Sequence, residues 1–265
     1  MPSKLHIQDL GVEFSLPARG REKPATLTVV HDLTLSVGDR EFVSILGPSG
    51  CGKTTLVRCI AGLISPACGQ IALDGVPVTK PSPKVSMVFQ GIGLVPWRTV
   101  RENVALGLEL LYHRALNGQD WEKVSTLIAT VGLTGFEDYY PSQISGGMQQ
   151  RVGLARALVR DPELLLMDEP FGALDAQTRA ILQDELLRLW GSTGSTVFFI
   201  THDLEEAIYL SDRVVVLTRR PSHVKLVIEV PLPRPRYTYD ARSEPEFGRL
   251  RHEAWETLKE EIDRL

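Results

Sequence analysis

Nine consecutive residues, Gly47-Pro48-Ser49-Gly50-Cys51-Gly52-Lys53-Thr54-Thr55, fit the pattern GxxxxGK[ST] and could cradle phosphate. Glycines let successive backbone N–H groups converge on phosphate oxygens without Cβ clashes. A helix starting just behind them adds the positive end of its dipole. In such a loop Lys53 reaches the β and γ phosphates of a nucleotide, and the Thr54 hydroxyl ligates Mg²⁺. A bare glycine turn with an incidental lysine would not call for the strand-like run before it and the helical run after it.

Two further stretches carry chemistry. Leu164-Leu165-Leu166-Met167-Asp168-Glu169 is an apolar strand ending in two carboxylates. Alone, such a run marks a strand leaving the core. Beside a phosphate loop, Asp168 is placed to hold the shell of a Mg²⁺ ion, and Glu169 to face the γ-phosphate as base or orienter of an attacking water. Ser145-Gly146-Gly147-Met148-Gln149-Gln150-Arg151 precedes a helix over residues 149–159, which stops at Asp161-Pro162. It is a second helix start with exposed backbone donors and a serine hydroxyl, suited to an anion. An N-cap with flexible glycines would account for Ser145 alone.

The elements that position these groups alternate between apolar runs of strand length and amphipathic runs of helix length, the pattern of an α/β fold with a largely parallel sheet. Residues 41–46 (EFVSIL), 164–167 and 196–200 (TVFFI) read as buried strands, and residues 54–63 as the helix after the phosphate loop. Residues 5–14 and 26–37 are strand-like and flank a Gly/Pro/charged stretch, residues 16–24. They predict a hairpin with a solvated tip leading into an antiparallel layer. Residues 94–160 read as helical throughout, an inserted lobe. In the tail, residues 224–230 alternate, PLPRP at 231–235 cannot form a regular helix, and residues 243–265 form one. Ser243 and Glu246 are spaced as a capping box there, and Phe247, Leu250, Ala254, Leu258, Ile262 and Leu265 recur at helical spacing. That face either packs on its own domain or receives a partner.

Taken together and in order, these motifs resemble those of the ABC ATPase family, and the resemblance covers essentially the whole chain through Arg220. The family signature, usually LSGGQ, stands here as Ile144-Ser145-Gly146-Gly147-Met148, with Met148 for glutamine and Ile144 for leucine. Gln90 matches the Q-loop, Gly172-Ala173-Leu174-Asp175 the D-loop, His202 the switch histidine, and Phe14 the aromatic that stacks on adenine. Phe14 could equally be sheet core.

The resemblance implies a P-loop core with an antiparallel β subdomain and a helical subdomain at about 94–160, within an ATPase domain over 1–220 followed by a C-terminal extension over 221–265. ATP and Mg²⁺ are the implied cofactors: Thr54, Gln90 and Asp168 at the metal, Glu169, His202 and Gln90 at the reaction, and Ser145, Gly146, Gly147 and Asp175 completing the site of a second ATPase subunit, identical or paralogous. Further implied partners are two transmembrane permease subunits and, indirectly, an extracytoplasmic solute-binding protein. The chain would sit peripherally at the cytoplasmic face of the cell membrane.

Leu94-Val95-Pro96-Trp97-Arg98-Thr99-Val100-Arg101-Glu102-Asn103-Val104 is similar to the LPWRTVxENV stretch of nitrate, taurine, aliphatic sulfonate and bicarbonate importer ATPases. There Trp97 either packs inside the lobe or lines the groove for a permease helix. Cys51 either fills a small-residue position or is a redox control point. The reading from another class is a non-transport ABC ATPase of DNA repair, chromosome organisation or translation. Such proteins generally insert coiled coils, zinc modules or a second cassette, and none is evident here. An inactive module would lack Lys53, Asp168, Glu169 or His202, and all four are present.

Composition agrees. The 265 residues are 43% hydrophobic and 23% charged, enough for a full core. A net charge of −4 argues against a nucleic-acid partner. No stretch has the roughly 18 to 20 uncharged apolar residues of a membrane span, and residues 1–10 lack a signal peptide's apolar stretch. Three cysteines without CxxC spacing suggest neither disulfides nor zinc, as in a reducing cytoplasm.

Overall fold

A computed structural model describes residues 3–16 and 25–263. The hairpin tip expected up to residue 24 falls, beyond Leu16, outside the described residues, as does Leu265. The chain forms two compact units: Met1–Ser82 with Thr196–Arg234 and Tyr239–Leu265, and Pro83–Ser195 with Pro235–Thr238. This division differs from one at residues 94–160 and 221–265. Most of the C-terminal extension clusters with the first unit, and four of its residues with the second.

In the first unit, β1 (Ser3–Leu16) and β2 (Ala25–Gly38) pair antiparallel, and β4 (Cys68–Leu73) and β5 (Val76–Pro77) extend that sheet in the order β2-β1-β4-β5. The buried apolar side chains of β1 are Leu5 and Ile7, then Leu10 and Val12, so the alternation slips by one residue. The β1/β2 register shifts between Ile7 and Leu10, where Asp9 has φ 49° and its N–H donates to Thr34 Oγ1 at 3.0 Å. Such a bulge absorbs the extra residue and keeps the apolar set on one face.

The other strands of this unit are β3 (Phe42–Leu46), β8 (Thr196–Ile200), β9 (Arg213–Leu217) and β10 (Val224–Glu229). Parallel β3 lies between β8 and β9, and β10 runs antiparallel to β9. Every residue of β3 and β8 is buried, as their mostly apolar runs imply for strands covered on both faces, and the polar residue within β3, Ser44, accepts from the Ser211 hydroxyl. Helices α1 (Lys53–Ile60), α6 (Leu204–Leu210) and α7 (Pro245–Ile262) belong to the same unit.

Two details of the C-terminal helix depart from expectation. The capping box of Ser243 and Glu246 does not form: α7 starts at Pro245, the Ser243 hydroxyl donates to Asp240 Oδ2 at 2.5 Å, and Glu246 pairs with Arg249. Proline at the first helical position fixes the start there, because its φ is already helical and it has no N–H to satisfy. Phe247, Leu250, Ala254 and Leu258 are buried as their spacing implies. Ile262 is exposed, and Glu261 takes the buried place instead.

The second unit has one parallel strand pair, β6 (Val85–Val88) with β7 (Leu164–Asp168), and four helices: α2 (Val100–Tyr112), α3 (Gly118–Thr130), α4 (Gly146–Leu158) and α5 (Ala176–Thr193). Between residues 94 and 160 there is no strand. From the tail, Tyr237 lies under the Arg188 guanidinium of α5, 4.8 Å from ring centre to carbon, and Arg236 is fully buried.

Candidate functional site

In both units the candidate groups leave the C-terminal ends of parallel strands. Ile45 of β3 pairs with Ile200 of β8, so Gly47 and His202 each emerge two residues beyond the same edge. Val88 of β6 pairs with Met167 of β7, which sets Gln90 and Glu169 side by side in the same way. Ligands of α/β folds gather at such edges because loops there converge while the strands stay rigid.

In the first unit, the phosphate loop turns through Gly50 (φ 76°) and Gly52 (φ 117°). Gly52 is the N-cap of α1, which has no side-chain cap, so no side chain competes for the amides at the helix start. Lys53 is buried, and its Nζ donates to the carbonyls of Gly47 at 2.8 Å and Pro48 at 3.1 Å, closing the loop on itself. Cys51 is buried within the loop, and its N–H donates to Pro48 O at 3.3 Å. Burial pushes its thiol above the usual range, against the pull of the Lys53 and Arg220 charges, which keeps it a protonated thiol at neutral pH. Ser49 is exposed, while Thr54 and Thr55 are half-buried on the first turn of α1.

His202 is exposed and its neighbours are fixed. Thr201 N–H donates to Ile45 O at 3.3 Å, the Thr201 hydroxyl donates to the buried Glu206, and Asp203 N–H donates to that hydroxyl at 3.0 Å. Asp203 then caps α6 by accepting from the amides of Glu205 and Glu206. Phe14, opposite Leu27, is 38% exposed, so it presents a free face rather than filling the sheet core.

In the second unit, Asp168 closes β7 almost fully buried. Glu169 has φ 47°, an uncommon backbone for a residue other than glycine, of the kind that collects at functional sites. Its Oε2 accepts from Gln90 Nε2 at 3.4 Å, and its carbonyl accepts from Gly172 N–H at 3.2 Å. Ser145 is the N-cap of α4 and accepts from Met148 N–H at 3.3 Å; Gly146 and Gly147 form the first turn. Helix α4 thus begins at Gly146 rather than at residue 149, so the signature glycines are helical. Asp175 caps α5, accepting from Gln177 N–H at 3.1 Å and Thr178 N–H at 3.0 Å, and these bonds hold its carboxyl below the usual carboxylate range.

In the first unit Thr54 offers a hydroxyl, and in the second Gln90 and Asp168 offer an amide carbonyl and a carboxylate. All three are hard oxygen donors, the donor type that Mg²⁺ takes.

Sequence reading missed the residues that fix the loop after Gln90. Asn103 of α2, fully buried, accepts from Val95 N–H at 2.8 Å and donates from Nδ2 to the carbonyls of Val95, Arg98 and Thr99. Arg156 of α4 donates to Ile92 O at 2.6 Å and Gly93 O at 2.8 Å. Thr99 and Glu102 form a capping box at the start of α2. Thr99-x-x-Glu102 was a legible capping signal. Asn103 stands in the importer-like stretch 94–104, which gives it no role, and nothing local marks Arg156. Held in this way, Trp97 is 76% exposed and does not pack inside the lobe.

The profile of a family described as "ABC transporter" matches residues 30–172. An aliphatic sulfonates import ATP-binding protein of Bacillus cereus is 47% identical over 215 residues, 81% of this chain and 84% of that protein. A nitrate import ATP-binding protein of Synechococcus elongatus is 41% identical over 255 residues, 96% of this chain and 91% of that protein. Among solved structures, a dimeric ATP-binding cassette in a post-hydrolysis state bound to ADP and Pi superposes with TM-score 0.72 at 30% identity, over 85% of this chain and 98% of that one.

Proposed function

This chain belongs to the ABC transporter family, as an ATP-hydrolysing, ATP-binding subunit of the group that holds nitrate and aliphatic sulfonate importers, and from that premise we propose that it drives import of a small anion of the nitrate, sulfonate, taurine or bicarbonate class through a separate permease. One observation supports the solute class above the others: two relatives that align along most of their length with this chain are both named for import of small anions.

The chemistry assigned to the site follows from its groups. The amides of residues 50–55 and the Lys53 ammonium receive the β and γ phosphates, and Phe14 offers its exposed face to adenine. Thr54, Gln90 and Asp168 would hold Mg²⁺, which when bound neutralises charge on the phosphate oxygens. Glu169 orients the attacking water and takes its proton as the bond to the γ-phosphorus forms and the bond to ADP breaks. His202 stands at the same strand edge as the P-loop and donates toward the γ-phosphate. Ser145, Gly146 and Gly147, with the capped Asp175, serve the nucleotide of a second ATPase subunit, an arrangement favoured by the dimeric state of the similar cassette.

No helix among the described residues is long and apolar enough to cross a membrane. In this proposal the chain acts at the membrane's inner face through two permease subunits, which receive solute from an external binding protein. In Glu169→Gln the water-orienting carboxylate is gone while the phosphate contacts remain. Turnover is expected to fall by roughly 10²- to 10³-fold with ATP binding retained. In cells lacking this chain, uptake of labelled nitrate, taurine, alkanesulfonate and bicarbonate should show one anion whose entry returns with the wild type and not with Glu169→Gln. Restored uptake of only a neutral or cationic solute overturns the anion assignment.

A further inference from the structure

The turn between β9 and β10 lies along the P-loop at three points. A Cβ placed on Gly47 would stand 3.3 Å from Leu217 Cβ, one on Gly50 would stand 4.0 Å from Arg220 Nη2, and one on Gly52 would stand 3.5 Å from Ser222 Oγ. The turn is stiff. Thr218 N–H donates to His223 O, and His223 N–H to Thr218 Oγ1, each at 3.0 Å. Ser222 is tied to β2 in both directions, donating to Val29 O at 2.9 Å and accepting from His31 N–H at 3.0 Å.

The C-terminal helix holds the turn from its other side. Glu261 of α7, 2% exposed, accepts from Arg219 N–H at 3.0 Å and from Lys225 Nζ at 2.7 Å. A buried carboxylate is retained on an apolar helix face only where its charge is paired and hydrogen-bonded, and here the partners are the two ends of this turn. Arg219 is thereby fixed at its backbone, and the next residue, Arg220, projects beside Gly50. Arg220 is exposed, and among the described residues no acid pairs with its guanidinium. Its charge reaches inside the loop, where it acts with Lys53 on the Cys51 thiol against the stronger effect of burial.

We infer that Arg220 is a further nucleotide-binding residue, a cation at the shoulder of the P-loop attracted to the phosphates of ATP, and that Glu261 is a positioning residue acting through it. The inference rests on the reading that residues 47–55 bind the triphosphate. None of the motifs that mark the site in the sequence contains Arg220 or Glu261, and the assignment gives the C-terminal extension a part in nucleotide binding. A single charge at this range, partly screened by water, is worth a modest factor against a polyanion.

The test is ATP titration of the full chain with Mg²⁺, at low salt and at about 1 M salt, where the screening length falls to roughly 3 Å. Arg220→Gln is expected to weaken ATP binding about three- to tenfold at low salt, with the gap closing at high salt and Arg220→Lys recovering most of it. Glu261→Gln replaces one of two carboxylate acceptors with an amide donor. It should weaken binding in the wild-type background and add nothing on top of Arg220→Gln, a non-additivity that general destabilisation would not produce. Thermal melts of each variant check folding. Wild-type affinity for Arg220→Gln at low salt, or a loss that persists unchanged at high salt, overturns the role of Arg220. Wild-type affinity for Glu261→Gln, or full additivity in the double variant, overturns that of Glu261. Lys53→Ala separates the two layers: if it also binds as wild type, the P-loop reading itself fails, whereas if it alone loses binding, only the inference fails.

Discussion

The loop that joins β3 to α1 and the loop that joins β6 to α2 both leave the C-terminal end of a parallel strand, and they are held in opposite ways. The first is shaped by backbone: glycines at φ 76° and 117°, and loop carbonyls that take the Lys53 ammonium. The second is shaped by distant side chains, Asn103 at four backbone atoms and Arg156 at two. A backbone-built loop brings glycines and an uncapped helix start to the ligand, which suits phosphate. A side-chain-built loop can project a bulky group such as Trp97 at a place fixed by the helices that carry its clamps. The proposed function asks the first loop to bind and the second to present Trp97.

The sharpest break in this comparison is Gly52→Ala, which attacks the first loop at its backbone. A φ of 117° is outside every comfortable region for alanine, and its Cβ would meet Val29 Cγ1 at 2.6 Å. The strain is on the order of 2 kcal/mol or more, and the loop must distort to relieve it. ATP affinity is expected to fall by at least roughly tenfold, measured by titration. The second loop should hardly notice, so transport-surface antibodies or permease capture in detergent should still recognise the variant. Unchanged ATP affinity would show that the loop's shape does not depend on this glycine.

A smaller effect on ATP binding, and a larger one on stability, is expected from Asn103→Ala, which attacks the second loop. It leaves one amide and three carbonyls of residues 95–99 without their buried partner, a loss of about 2–3 kcal/mol. That corresponds to a fall in Tm on the order of 5–10 °C for a chain of this size. Asn103→Asp should do no better, because three of the four bonds use the Nδ2 donor and a carboxylate would repel the same carbonyls. ATP affinity should stay within about twofold in both variants. If Tm is unchanged, the clamp is ornamental and the loop is held elsewhere.

The two loops also differ in how far sequence revealed them. The P-loop was legible because its determinants are local: glycines, lysine and threonine must stand at fixed offsets for amides to converge. The buried strands β3, β7 and β8 were legible for the same reason, since a strand covered on both faces is a short, mostly apolar run. The clamps were not, because Asn103 and Arg156 reach their targets through the packing of α2 and α4, and a polar residue on a helix looks alike whether it faces solvent or a loop. Strands β4, β6 and β9 also went unread. The capping box assigned to Ser243 and Glu246 failed because Pro245 already starts α7, and Ile262 was misplaced because Glu261 is needed to hold the turn at Arg219.

Trp97→Ala should produce the smallest effect on the isolated protein and is the most telling about transmission. At 76% exposure the indole contributes little to the fold, so stability should change by no more than about 0.5 kcal/mol. It touches no group assigned to the nucleotide, so ATPase activity of the isolated subunit should match the wild type within about twofold. If the clamped loop presents Trp97 to a permease helix, the loss of a large aromatic anchor from the centre of that contact costs about 2 kcal/mol or more. Solute uptake in reconstituted vesicles should then fall by roughly tenfold while ATP hydrolysis continues uncoupled. Trp97→Phe keeps an aromatic surface and should recover part of the uptake. Uptake equal to wild type in the alanine variant would remove Trp97 from the coupling surface and leave the rigidity of its loop without that purpose.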